Sequence, residues 1–259
     1  MLPPADSGAT GDLAPERDLR WEIWIGFAAM GELVEFPSNG HTAGGYLAVS
    51  NEGSGPGVVV IQEWWGLVDH IKDLCDRFAS VGFTALAPDL YHGVAVSNSE
   101  PDEAGKLLMT LNLDQAAKDM SGAVDFLRQQ PSVKSQRAGV VGFCMGGGLA
   151  LMLATQRPDG IGACVAYYGV IPWEHANPDW SQLDAPVLGH FAENDGMFTP
   201  EKARELEGTL KALGKDAEFI VHPGVDHAFF NDTRPEVYDA ETSERTWTQT
   251  LSFLRGALD

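Results

Sequence analysis

Cysteine is scarce in this chain: 259 residues contain three, at positions 75, 144 and 164. Three thiols cannot build a disulfide framework, and with no C-x-x-C pair there is no zinc-type motif. A small secreted disulfide scaffold is therefore excluded, and a reduced, cytoplasmic setting is expected. Positive charge is equally thin. Lys and Arg number 17 against 37 Asp and Glu, a formal net charge of −20. Such a field repels phosphate, which argues against nucleic acid and anionic membrane as partners. Long apolar runs are missing too. The stretch IWIGFAAM at residues 23–30 is far shorter than the roughly 20 residues a bilayer demands. Residues 1–29 are acidic and Pro/Gly-rich and lack the basic start of a secretory signal. They are expected to form a disordered extension ahead of a domain at 30–259. There is no internal repeat or low-complexity tract, and a monomer is expected.

What the chain does have is alternation. Strands are predicted at 32–36, 45–49, 57–62, 83–88, 138–143, 162–168, 186–191 and 217–222. The inner ones are near-continuous apolar runs such as GVVVIQ and AGVVGF, as strands buried on both faces require. The first two alternate and flank NGHTAG, so they read as an antiparallel edge hairpin. Helical patterns cover 69–80, 114–129, 146–156, 200–213 and 238–256. In the first, Ile71, Leu74, Cys75, Phe78 and Ala79 share one face, with Asp69 as the expected N-cap. This makes Cys75 a core residue, and Cys164 lies inside a strand. About eight mostly parallel strands with helices on both faces are implied. Residues 92–112 read as a long irregular connection, a candidate loop over a site.

The chemistry begins at GFCMGGG, residues 142–148. It matches G-x-S-x-G with Cys144 in place of serine, between a strand and a helix, the context of a nucleophile elbow. That turn aims the backbone N–H of Met145 at a developing oxyanion. An elbow also requires an acid after a later strand and a histidine after the last one. Asp195 in AENDGMFTP and His227 in PGVDHAFF satisfy that order, both at strand C-termini, where open α/β sheets build their sites. His190 and His222 lie within predicted strands and read as structural.

Sulfur at the elbow constrains the substrate. A tetrahedral intermediate expels its better leaving group, and a thiol of pKa ~8.5 leaves more readily than an alkoxide near water's ~15.7. Esters that release an enolate or phenolate escape this competition. Activated esters and enol-lactones are therefore favoured. A non-catalytic or redox-sensing thiol protein on the same fold is the alternative.

Five motifs in order, QEWWG, PDLYHG, GFCMGG, ENDGMFTP and GVDHAFFND, resemble the dienelactone hydrolase (carboxymethylenebutenolidase) family of α/β-hydrolases over about residues 30–257. The resemblance implies the α/β-hydrolase fold, a small ester or lactone substrate, and no metal or organic cofactor. By position it makes Cys144 the nucleophile, Asp195 the orienting acid, His227 the base and Glu63 the carboxylate that contacts the resting thiol. A carboxylate there would favour the neutral thiol until substrate displaces it. The N–H of Trp64 is implied as the second oxyanion donor beside Met145. Trp65, Tyr91 and Phe229 are candidate substrate contacts. One departure stands out. The family's two carboxylate-binding arginines are absent, with His92-Gly93 and Asn231 in their places, leaving Arg234 as the nearest basic substitute.

Overall fold

The computed structural model describes residues 31–171, 176 and 178–258; residues 1–29 lie outside these. Chain order is β1 (Glu32–Ser38), β2 (His41–Ala48), β3 (Gly57–Ile61), α1 (Asp69–Ser80), β4 (Thr84–Pro88), α2 (Pro101–Met109) and α3 (Leu113–Arg128), then β5 (Ala138–Phe143) and α4 (Met145–Gln156). β6 (Ile161–Tyr167), β7 (Val187–Ala192), α5 (Pro200–Ala212), β8 (Ala217–His222) and α6 (Ala240–Leu258) complete it. The strands form one sheet in the order β1-β2-β4-β3-β5-β6-β7-β8. β1 pairs with β2 and β2 with β4 antiparallel, while β3 to β8 run parallel.

Burial explains the composition of each element. β3, β4, β5 and β6 are buried at every residue because helices cover both sheet faces. α1 and α6 share one face: the Phe78 and Trp247 rings sit 4.5 Å apart, and Arg255 donates to the Val81 carbonyl at 2.8 Å. α3 and α4 share the other, tied by Arg157, which donates to the Ser121 carbonyl and to Asp125. α4 lies beneath both sheet and loops and is apolar almost all round, as a helix with no solvent face should be. Cys75 and Cys164 are fully buried in this core.

Three local expectations are corrected. The edge turn is tighter than NGHTAG suggested: Asn39 and Gly40 alone carry positive φ (38° and 106°), and His41 to Gly44 already pair with β1. An Asn-Gly pair with both residues left-handed matches the right-handed twist of the flanking strands. Residues 92–112 contain a helix, α2, with Pro101 in its first turn and Asp102 and Glu103 beside it. Proline supplies the helical φ without needing a donor, and acids favour the helix N-terminus. Asp69 is the first residue of α1 rather than its cap: Val68 takes the cap position with no side-chain bond, and Asp69 pairs with Lys72 at 3.1 Å.

The chain leaves β3 for β4 on one side and returns to place β5 on the other. The crevice between the C-termini of β3 and β5 is thus a topological switch point, where sheets of this kind bind ligands.

Candidate active site

Cys144 occupies that point. Its φ of 55° and ψ of −120° are sterically unfavourable for a residue with a Cβ, a strain that the surroundings must impose. They do so by close approach. A Cβ on Gly142 would run into the Gly146 carbonyl, and one on Gly146 would strike the carbonyls of Ile61 and Gln62. β5, α4 and β3 therefore meet backbone to backbone. Cys144 N–H donates to the Tyr167 carbonyl at 3.0 Å, and the Cys144 carbonyl accepts from Gly147 at 2.9 Å. The sulfur is fixed at the N-terminus of α4, 7% exposed.

The carboxylate and imidazole arrive on the turns after β7 and β8. Asp195 Oδ1 accepts from the N–H groups of Met197 and Phe198 at 2.8 and 2.9 Å, and Oδ2 accepts from His227 Nδ1 at 2.6 Å. Burial alone would favour the neutral acid. The bond and charge of His227, with the two amides, outweigh it and hold the Asp195 pKa below the usual carboxylate value. For His227, burial opposes the imidazolium. Cys144 and Asp195, through charge and hydrogen bonding, reverse this and raise its pKa to about 10. With Nδ1 engaged by Asp195, Nε2 is the nitrogen left for the thiol. The ring is held edge-on by Tyr168 at 5.1 Å and flanked by Phe198 at 5.7 Å. Sulfur, imidazole and carboxylate are thus brought together from three distant segments, His227 bonded to Asp195 and sharing one cavity with Cys144.

Glu63 differs from the expectation. It sits just past β3, 1% exposed, and lines the same cavity as Cys144. Its Oε2 accepts from Asn231 Nδ2 at 2.7 Å and its Oε1 from the Tyr168 hydroxyl at 3.4 Å. Among the described residues those are its hydrogen-bond partners, and the Cys144 thiol is not one of them. A buried carboxylate must satisfy its oxygens, and here two neutral donors do so. Tyr168, in a left-handed backbone conformation (φ 36°), stays protonated because burial and then the charges of Glu63 and Cys144 push its pKa well up. Neither Tyr168 nor Asn231 was singled out as functional from sequence. Asn231 was visible only as the residue standing where an arginine was expected.

The cavity above the sulfur measures about 80 Å³. Its walls are Trp64, Trp65, Leu108 of α2, Met197 and Phe198, with Glu63, Cys144, Met145, His227, Ala228 and Arg234 completing it. Trp64 and Met145 are placed at the turn after β3 and the start of α4 as expected. Arg234 turns inward: its guanidinium lies 5.9 Å from the Trp65 ring centre, and Nε donates to Glu236 at 2.9 Å. The other two candidate contacts are not on the wall. Phe229 is fully buried and packs against Tyr168 and His222. Tyr91 is buried beside the elbow, its hydroxyl donating to Met145 Sδ at 3.4 Å. Phe229 stands next to Ala228 of the cavity in sequence, but both side chains are buried in the protein. Among the described residues no group of three or more His, Cys, Asp or Glu could hold a metal ion, and no helix is long and apolar enough to cross a membrane.

Known proteins share this arrangement of chain. The model of the family described as "Dienelactone hydrolase family" matches residues 43–258. "Protein usf" of Aquifex pyrophilus is 37% identical over 237 residues, covering 87% of this chain and 98% of its own. A protein of Aquifex aeolicus (strain VF5) named "Putative carboxymethylenebutenolidase" is 33% identical over 232 residues, with 87% and 98% covered. A crystal structure from Klebsiella pneumoniae subsp. pneumoniae, also named for dienelactone hydrolase, superposes with a TM-score of 0.76 at 28% identity, covering 87% of this chain and 98% of its own.

Proposed function

Because the chain belongs to the dienelactone hydrolase family of α/β-hydrolases, we propose that it is a cysteine-dependent hydrolase of activated esters or enol-lactones, working through a thioester. The single observation that carries this reading is the hydrogen bond of His227 to Asp195 with the same imidazole on the wall of the cavity that holds Cys144 at the elbow. Cys144 attacks the acyl carbon, its proton held by His227. The backbone N–H groups of Met145 and Trp64 receive the oxyanion, the first from the positive end of α4. The enolate or phenolate departs and takes up the proton from His227, which is left neutral; a lactone keeps the leaving group tethered to the acyl chain. His227, oriented by Asp195, then takes a proton from water, which adds to the thioester carbonyl and expels the sulfur. The carboxylic acid leaves and the thiol is restored.

The apolar walls fit a compact acyl group. Arg234 supplies one cation at the rim, paired with a Glu236 carboxylate that is 59% exposed. Such an exposed pair is worth little, so a substrate carboxylate can compete for the guanidinium. Arg234→Ala should raise KM for carboxylate-bearing esters by roughly tenfold, with kcat nearly unchanged, as expected for loss of a charge-assisted contact made equally in ground and transition states. Steady-state kinetics on matched charged and neutral esters checks this; an equal KM for both in wild type and variant would remove Arg234 from the site. The acyl-enzyme is tested directly by quenching the protein with an activated aryl ester in acid and reading its intact mass. One acyl group, absent in Cys144→Ala, is the expected result. Turnover with no adduct in the wild type, and undiminished in Cys144→Ala, would sink the thioester route.

A further inference from the structure

The contact between Glu63 and Asn231 has a direction that can be read. Asn231 Oδ1 accepts from Thr233 twice, from its N–H at 3.1 Å and its hydroxyl at 2.6 Å. An amide oxygen so occupied leaves the NH₂ end facing Glu63 Oε2, at 2.7 Å. Thr233 is itself fixed from outside: Asn98 Nδ2 donates to its Oγ1 at 2.8 Å and to its carbonyl at 3.3 Å. The donor that holds the carboxylate is therefore anchored by protein rather than by anything in the cavity. Asn231 is 1% exposed, so water cannot readily take its place.

Resting on the reading of Cys144 as nucleophile, we propose that Asn231 is a positioning residue: it holds Glu63 off the sulfur, so that His227 arms the thiol in the free enzyme and a substrate needs no anionic group to release it. The physical reasoning is a competition for one buried carboxylate. In a low-dielectric cavity the carboxylate seeks the best available donor. With the Asn231 amide present, that donor is neutral and sits away from the sulfur. Without it the carboxylate keeps only the long bond from Tyr168, and the Cys144 S–H, on the wall of the same cavity, is a donor it can recruit. A thiol that donates to a carboxylate is held in its neutral form, which is the unreactive one. The titratable groups around the sulfur are Glu63 after β3, Tyr91 after β4, Tyr168 after β6, His227 with Asp195 behind it, and Arg234 at the rim. Of these, Glu63 is the group whose partner Asn231 decides. It follows that neutral activated esters and lactones are substrates in their own right, and that a carboxylate near Arg234 aids binding without being needed for activation.

Alkylation of the intact protein by iodoacetamide reads this without any ester. Cys75 and Cys164 are fully buried, so the rate reports Cys144, with Cys144→Ala as the blank. Asn231→Ala should slow alkylation at pH 7 roughly tenfold and move the midpoint of the rate–pH profile upward by about one unit, and Glu63→Gln added to it should restore the rate to within about twofold of wild type. Glu63→Gln alone should change the rate by less than about threefold, because in the wild type the carboxylate is already held elsewhere. Thr233→Val, which frees the amide without removing it, should act like Asn231→Ala but more weakly, and serves if Asn231→Ala folds poorly. Wild-type alkylation in both Asn231→Ala and Thr233→Val would overturn the proposal, as would slowing that Glu63→Gln fails to rescue. A kcat for a neutral aryl ester more than about tenfold below that of its carboxylate-bearing counterpart would overturn the substrate half. Loss of all ester turnover with the alkylation pattern intact would instead remove the hydrolase reading and leave the role of Asn231 standing.

Discussion

Cys144→Ala and His227→Ala are each expected to cut turnover of a p-nitrophenyl-type ester by at least about a thousandfold, because nucleophile and base act as one unit and the loss of either forfeits the covalent route. The double variant should fall little further, since the two losses are not additive within one catalytic unit. Asp195→Asn belongs to the same series with an intermediate effect. The amide can still accept at Oδ1 from Met197 and Phe198, but it no longer offers His227 Nδ1 a charged partner. The His227 pKa, now about 10, should drop, and the alkaline limb of the rate–pH profile should move to lower pH with it. Initial rates with far-UV circular dichroism as a folding control are sufficient. Undiminished hydrolysis by Cys144→Ala would move the chemistry to a different residue.

The second large effect concerns stability. His190 of β7 is fully buried, with Nδ1 3.1 Å from His222 Nε2. Burial, then the charge of its neighbours, lowers the His190 pKa to about 3 and that of His222 to about 4. Both folded-state values lie below the unfolded 6.5, so the unfolded chain binds more protons throughout that interval. Stability therefore rises with pH between about 4 and 6.5, and acidification removes it. From pH 6.5 to 4.5 two protons are taken up on unfolding, which amounts to roughly 5 kcal/mol at about 1.4 kcal/mol per proton per pH unit. Denaturant midpoints measured across that range should fall steeply, and His222→Gln should flatten the slope by about one proton. Midpoints that do not change from pH 6.5 to 4.5 would show that the pair is not held neutral.

Much of this was legible before any coordinates. The apolar runs of β3, β5 and β6 could only be strands covered on both faces, and the stripe through Cys75 could only be the inner side of α1. The elbow was legible because GFCMGG has no comfortable alternative: residues that small, between a strand and a helix, are what a backbone-to-backbone crossing needs. The order Cys144, Asp195, His227 followed from topology, since each sits where a parallel strand ends. α2 was hidden because its pattern is weak; among its residues only Ala104 is fully buried, so packing imposed little periodicity. Phe229 lies two residues beyond His227, but position in a loop says nothing about which way a side chain faces once Ala228 takes a positive φ of 66°.

Sequence by itself determined the chain order of the strands and of every helix but α2, and it pointed to the elbow and to Cys144, Asp195 and His227, because these depend on local pattern and on chain order. Tertiary structure alone decided which donor holds Glu63. Asn231 lies 168 residues from it and Tyr168 reaches it from just beyond β6, and no periodicity links such positions. A buried carboxylate takes whatever donors the fold brings within reach, and that choice exists only once the sheet has closed around it.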